Sequence, residues 1–183
     1  MALVAGLTEE VGKLGCVLVI AFTMRRWFND PLDGLVYGSM AGLGAAIEES
    51  VSLLASQAPS PDSLPPTEAV RLAGHLVMGG VTGFGAGALV RAHAARSPEH
   101  PKRASNRAMS VLWIPFSLLL GTGLHAGWDY VAFTAPGRSS PPKAFRWHTG
   151  MSMALMLLGF MLYRWLVRRG AGLAHVWLQN KRV

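Results

Sequence analysis

Several ionisable side chains of this 183-residue chain lie inside apolar stretches, where charged groups are uncommon. A charge at the centre of a membrane-spanning helix costs roughly 2.5–3.5 kcal/mol on insertion scales, which predicts a function for these residues. Two histidines and a carboxylate suit a zinc ion, and a further carboxylate can activate the bound water. The same groups can also act without metal, with a glutamate as general base and a histidine stabilising an oxyanion. The residues are Glu9, Glu10, Lys13, Glu48, Glu49, His75, His125 and Asp129.

The spacing of these residues limits which of them can act together. His125 and Asp129 are four positions apart and therefore project from one face of a helix. Glu9 and Lys13 are also four apart, so they can pair and offset part of the cost of burial. Adjacent Glu9 and Glu10 point about 100° apart on a helix. We therefore expect one glutamate, preferably Glu9, to act at the site while Glu10 fixes it or bonds to a neighbouring helix.

The composition predicts that helices in a membrane position these groups. Hydrophobic residues make up 51% of the chain and charged residues only 15%, against about 25% in a soluble domain. The expected fold is an all-α polytopic membrane bundle, with one transmembrane domain over residues 1–168 and a basic, interfacial tail over residues 169–183. A spanning helix needs about 20 mostly apolar residues, and five segments qualify. They are Leu3–Thr23, Leu35–Leu54, Ala69–Val90, Met109–Phe133 and His148–Val167.

The net charge of +7 has a topological explanation. The basic residues lie mainly at the ends of the apolar segments, as the positive-inside rule expects, which argues against nucleic-acid binding. Of the 17 lysines and arginines, 12 fall in the loops and tail on one side and 3 on the other. The rule predicts that the N-terminus lies outside the cytoplasm and the C-terminus inside. The buried acids and histidines then share the outer third of the membrane.

Glycines spaced four apart predict close contact between helices. Gly38 and Gly42 form one such pair, and Gly79, Gly83 and Gly87 continue the pattern later in the chain. In a membrane helix this spacing makes a face of small residues on which another helix can pack closely. We prefer this interpretation to a nucleotide-binding loop because no predicted strand precedes the glycines.

Four blocks of the chain resemble the PrsW-type intramembrane protease family, a relative of the CAAX prenyl endopeptidase and bacteriocin-processing clan. The first block is Glu9-Glu-Val-Gly-Lys13, and the second runs from Asp33 to Glu49. The third block is Arg71-Leu-Ala-Gly-His75, and the fourth contains His125 and Asp129. They occur in the family's order and together cover about two thirds of the chain.

The resemblance implies an intramembrane endopeptidase of the bacterial cytoplasmic membrane that cleaves a membrane-anchored protein. It implies catalytic roles for Glu9, Glu10, His75, His125 and Asp129. If the reaction depends on a metal, zinc is the candidate, with His75, His125 and Glu9 as ligands; a metal-free mechanism stays open. Lys13, Asp33 and Glu49 would be supporting residues.

One departure and two rival functions belong with this resemblance. Asp129 stands where relatives often have asparagine, and an ionised aspartate cannot donate to an oxyanion. Asp129 would therefore serve better as a metal ligand or in a protonated form. The main alternative function is an inactive membrane scaffold that keeps the protease fold. A proton pathway is less favoured, because the acids share one depth and form no relay across the membrane.

Overall fold

The structure is a computed structural model that describes residues 1–56, 67–94, 105–134 and 142–180. These residues form five helices and contain no strand, so the predicted all-α bundle is confirmed. Each of the five segments predicted from the sequence lies within one helix. The helices are α1 (Ala2–Thr23), α2 (Pro31–Ser56), α3 (Thr67–Ala94), α4 (Ser105–Phe133) and α5 (Pro142–Asn180).

Three of the helices contain stretches that are long and apolar enough to cross a membrane. They are Ala69–Arg91 in α3, Val111–Ala132 in α4 and Trp147–Gly172 in α5. α1 and α2 have 22 and 26 residues and so have the necessary length, but ionisable residues interrupt their apolar stretches: Glu9, Glu10 and Lys13 in α1, and Glu48 and Glu49 in α2. That these two helices also span the membrane stays a prediction.

α5 is longer than the sequence predicted. It has 39 residues, about 58 Å at 1.5 Å per residue, and it continues without a break through residue 169. The basic tail therefore begins as a continuation of the spanning helix. Its position at the membrane surface stays a prediction.

The start of α2 is fixed by two aspartates. Asp30 Oδ1 accepts hydrogen bonds from the backbone N–H groups of Leu32 (2.7 Å) and Asp33 (3.2 Å). In return, Asp33 Oδ2 accepts from the N–H groups of Asn29 (2.6 Å) and Asp30 (3.0 Å). This reciprocal arrangement resembles a capping box, and Pro31 occupies the first helical position, where its missing N–H costs nothing. The cap sets where α2 begins and so the register in which it meets α3.

α2 and α3 pack along what we call the glycine seam. An added Cβ on any seam glycine would overlap the backbone of the facing helix, so the two helices approach as closely as backbones allow. At Gly42 the overlapped atom is the carbonyl oxygen of His75. The predicted small-residue face is thus confirmed, and one end of it holds the turn that carries His75. The seam consists of Gly34, Gly38 and Gly42 on α2 with Gly79, Gly83 and Gly87 on α3.

α1 turns one narrow stripe towards the bundle, and that stripe includes two charged residues. Near its start, Gly6 allows close contact, because a Cβ there would lie 3.1 Å from the backbone nitrogen of Ala126 on α4. The orientation that this contact sets places Glu10 and Lys13 inside the protein and leaves Glu9 at the edge of the stripe. The buried residues of α1 are Gly6, Glu10, Lys13, Leu14, Val17 and Ala21.

Candidate active site

α1, α3 and α4 bring Glu9, His75 and His125 together. One ligand atom from each lies within 4.8 Å of the others. Glu9 Oε2 is 3.7 Å from His75 Nδ1 and 3.5 Å from His125 Nε2. The two imidazole rings meet edge to face, with centroids 4.9 Å apart. Both histidines are buried, whereas the Glu9 side chain is 39% exposed, so the cluster is accessible from the side of Glu9.

Glu10 is completely buried, and the protein engages both of its oxygens. Oε1 lies 2.6 Å from Lys13 Nζ and 3.0 Å from His125 Nδ1. Oε2 accepts a 2.6 Å hydrogen bond from the hydroxyl of Thr82. A carboxylate held in this way is a fixed acceptor, which leaves Glu9 as the glutamate that can meet water or a substrate.

Lys13 places one positive charge between the two glutamates. The predicted Glu9–Lys13 pair is present at 3.7 Å, but Glu10 is the closer partner at 2.6 Å. Residues three apart share a helix face as residues four apart do, and only Glu10 lies in the buried stripe with Lys13. Lys13 Nζ also lies 3.4 Å from His75 Nδ1 and 3.5 Å from His125 Nδ1.

The contact with Glu10 sets the tautomer of His125. An ionised carboxylate only accepts hydrogen bonds, so His125 Nδ1 carries the hydrogen that it donates to Glu10. In the neutral ring the Nε2 lone pair is then free, and it faces Glu9. For His75, Nδ1 faces the Lys13 ammonium at 3.4 Å, longer than the usual 2.7–3.2 Å range, so its lone pair is only weakly engaged.

The donor set fits a zinc ion. In a tetrahedral zinc site with bonds of 2.0–2.1 Å, ligand atoms lie about 3.3 Å apart. The separations from Glu9 to the histidines, 3.5 and 3.7 Å, are close to this value, and the three ligand atoms, which lie within 4.8 Å of one another, would have to draw together around an ion. Two histidines and one carboxylate also leave the fourth position for water, as in catalytic zinc sites. Finally, a ligating histidine commonly donates its other N–H to a carboxylate, as His125 does to Glu10.

Two further acids lie at the rim of the cluster. Asp129 Oδ1 is 3.9 Å from His125 Nε2, and its side chain is 17% exposed. Glu49 Oε2 is 3.7 Å from His75 Nε2, and Arg71 forms an ion pair with it. The predicted residues Asp129 and Glu49 therefore lie next to the histidines but outside the closest group.

Asp33 and Thr82 differ most from the sequence-based expectations. Asp33, predicted as a supporting residue, caps the start of α2 and lies apart from the cluster. Thr82 was not predicted, yet it bonds directly to Glu10. A signal for it exists in the sequence, since Thr82 follows His75 by seven residues, or about two turns of the same helix.

The fold and the site together define a helical integral membrane protein with a Glu–His–His cluster inside its bundle. No curated protein and no solved structure matches the chain. The model of the PrsW family of intramembrane metalloproteases matches residues 1–163, and the chain belongs to that family. It is therefore an intramembrane peptidase, which confirms the family and the enzyme class predicted from the sequence.

Proposed function

We propose that the chain is an endopeptidase that hydrolyses a peptide bond of a membrane-anchored protein near the extracytoplasmic face. The observation that carries the proposal is the meeting of Glu9, His75 and His125 from three helices within 4.8 Å. Glu9 is the exposed member of the group, as a residue that meets a substrate must be. The excess of lysine and arginine on the opposite side supports the extracytoplasmic position.

Glu9, His75 and His125 would hold the zinc ion, with Asp129 near enough to His125 to assist. A bound zinc ion supplies a Lewis acid and makes its water a stronger nucleophile at neutral pH. Glu10 and Lys13 do not touch the substrate; Glu10 orients the His125 ring, and Lys13 balances the charge of the two glutamates.

In the metal-free form of the reaction, in which Glu9 is not a metal ligand, Glu9 is the carboxylate that meets the attacking water. The water oxygen bonds to the peptide carbonyl carbon, and Glu9 accepts the water proton. The proton then passes to the amide nitrogen as the C–N bond breaks, which releases a carboxylate and an amine. His75 would stabilise the negative charge that develops on the carbonyl oxygen, because its Nδ1 faces the Lys13 ammonium as an acceptor and its Nε2 then carries a hydrogen to donate.

The proposal is tested with the full chain in lipid nanodiscs and a membrane-anchored reporter protein. Glu9→Gln, His75→Ala and His125→Ala should each reduce cleavage at least about 100-fold, the lower range for loss of a general acid or base. Glu48→Gln is the matched control, because Glu48 is exposed, bonds to Ser52 and lies beside the rim acid on α2. Its cleavage rate should stay within about twofold of the wild type.

Elemental analysis of the same samples separates the two chemistries. The zinc-dependent form predicts one zinc per wild-type chain, loss of zinc in His75→Ala and inhibition by a chelator that added zinc reverses. Cleavage that survives complete removal of metal identifies the glutamate-based form instead. A folded wild type that does not cleave the reporter, or Glu9 and histidine variants that cleave normally, would refute the proposed endopeptidase.

A further inference from the structure

Thr82 uses its hydroxyl differently from other threonines in the bundle. A threonine hydroxyl has a single proton to donate, and in helices it often goes to the carbonyl four residues earlier. Thr82 is fully buried in α3, and its hydroxyl donates instead to Glu10 Oε2 on α1, at 2.6 Å. Three threonines that do bond back along the chain by four residues are Thr8, Thr23 and Thr134.

The contact continues from Glu10 to a histidine of the site. Glu10 holds Thr82 with Oε2 and faces His125 Nδ1 with Oε1, at 3.0 Å. A carboxylate is rigid and planar, so fixing one oxygen also fixes the direction of the other. We propose that Thr82 is a positioning residue, which acts through Glu10 to keep His125 Nε2 directed at Glu9; this role rests on the proposed function.

The backbone of α4 packs tightly against the Thr82–Glu10 bond. A Cβ on Gly121 of α4 would overlap the Thr82 hydroxyl and lie 3.1 Å from Glu10 Oε2. Ser117, one turn earlier on α4, donates to the Thr82 carbonyl at 3.1 Å and holds the two helices in register. Thr82 and Glu10 have no exposed surface, so water cannot replace a lost hydroxyl without rearrangement.

Thr82→Val is the informative substitution, because it keeps the shape of the side chain and removes the hydroxyl. In nanodiscs kcat for reporter cleavage should fall about 10- to 100-fold, the usual effect of losing a partner of a ligating histidine, with KM within about twofold. The dissociation constant for zinc alone, measured by competition with a chelator, should rise by a similar factor. Thr82→Ser restores the donor and should return both quantities to within about threefold of the wild type.

Thr122→Val is the matched control. Thr122 is a buried threonine on α4 whose Oγ1 has no hydrogen-bond partner among the described residues, so the same chemical change should alter neither quantity more than about twofold. Unfolding midpoints show whether each variant is folded, and Thr82→Ala replaces Thr82→Val should the valine variant not fold. If cleavage does not depend on a metal, the variants are compared by kcat alone and the zinc dissociation constant is not used.

A double variant separates positioning from mere structural support. If Thr82 acts through Glu10, then Thr82→Val in a Glu10→Gln background should lower kcat by less than about threefold further. Equal losses in both backgrounds overturn the inference, as does a Thr82→Val protein that matches Thr122→Val. If the wild type cleaves the reporter and Thr82→Val cleaves it equally well, the positioning role of Thr82 is refuted and the proposed endopeptidase function is not. A folded wild type that neither cleaves nor binds zinc overturns the proposed function and this inference with it.

Discussion

The buried ion pair between Lys13 and Glu10 allows a quantitative prediction for Lys13→Met. The charged atoms are 2.6 Å apart, and the side chains are 3% and 0% exposed. Removing one partner of a buried pair costs about 3–5 kcal/mol, because the other charge is left buried without compensation. Glu10 retains its contacts with Thr82 and His125, so we expect the lower end of the range, about 3 kcal/mol.

Thermal unfolding in nanodiscs of constant lipid composition measures this change. For a chain of 150–250 residues, 1 kcal/mol shifts the unfolding midpoint by about 2–4 °C, so Lys13→Met should unfold about 6–12 °C below the wild type. Lys13→Met combined with Glu10→Gln removes both charges and should recover at least half of the loss. Glu49→Gln weakens the pair with Arg71, in which the Glu49 side chain is 46% exposed, and should cost less than about 1 kcal/mol.

The outcome that refutes this reasoning is a Lys13→Met midpoint within about 2 °C of the wild type. A double variant that is less stable than Lys13→Met would refute it as well, because the loss would then not arise from the unpaired Glu10 charge.

Three other predictions concern the framework around the site. Gly42→Ala places a methyl group against the His75 carbonyl oxygen, so it should lower the unfolding free energy by about 1–3 kcal/mol and reduce cleavage. Gly44→Ala is the control: its methyl group meets nothing within 4 Å, so this variant should be at least as stable as the wild type. Tyr163→Phe removes the hydroxyl that pairs with Ser39 at 3.1 Å between α5 and α2, and should lower the unfolding free energy by about 1 kcal/mol. A reporter enzyme fused to the C-terminus should be active only in the cytoplasm, and extracytoplasmic activity would contradict the topology.

The sequence predicts the framework well because apolar length and glycine spacing are local properties. About 20 apolar residues suffice to indicate a membrane helix, so each predicted segment lies within a helix of the structure. Gly38, Gly42 and Gly79 were predicted to pack closely from spacing alone, and they do. The predicted common depth of the acids and histidines also agrees with the close approach of Glu9, His75 and His125.

The sequence predicts that only one of the two glutamates leads, with a preference for Glu9, but helical spacing alone does not decide which one faces the bundle. That choice depends on the rotation of α1 about its own axis, which the close contact of Gly6 with Ala126 helps to set, and that contact joins distant parts of the chain. Asp33 shows the reverse case, in which local chemistry decides: its carboxylate is within reach of nearby backbone N–H groups at the start of α2. The length of α5 was underestimated because a helix need not end where its side chains become basic.

The buried pair on α1 also has a consequence for the time during which the protein is made. Glu10 precedes Thr82 by 72 residues and His125 by 115 residues, so both partners are synthesised later. At 5–20 residues per second, a ribosome needs about 6–23 s to reach His125. During that interval Lys13 is the only cation within α1 that can neutralise either glutamate. α1 therefore carries its own counter-ion during membrane insertion. Lys13 keeps the charges of Glu9 and Glu10 partly neutralised until α3 and α4 have been synthesised.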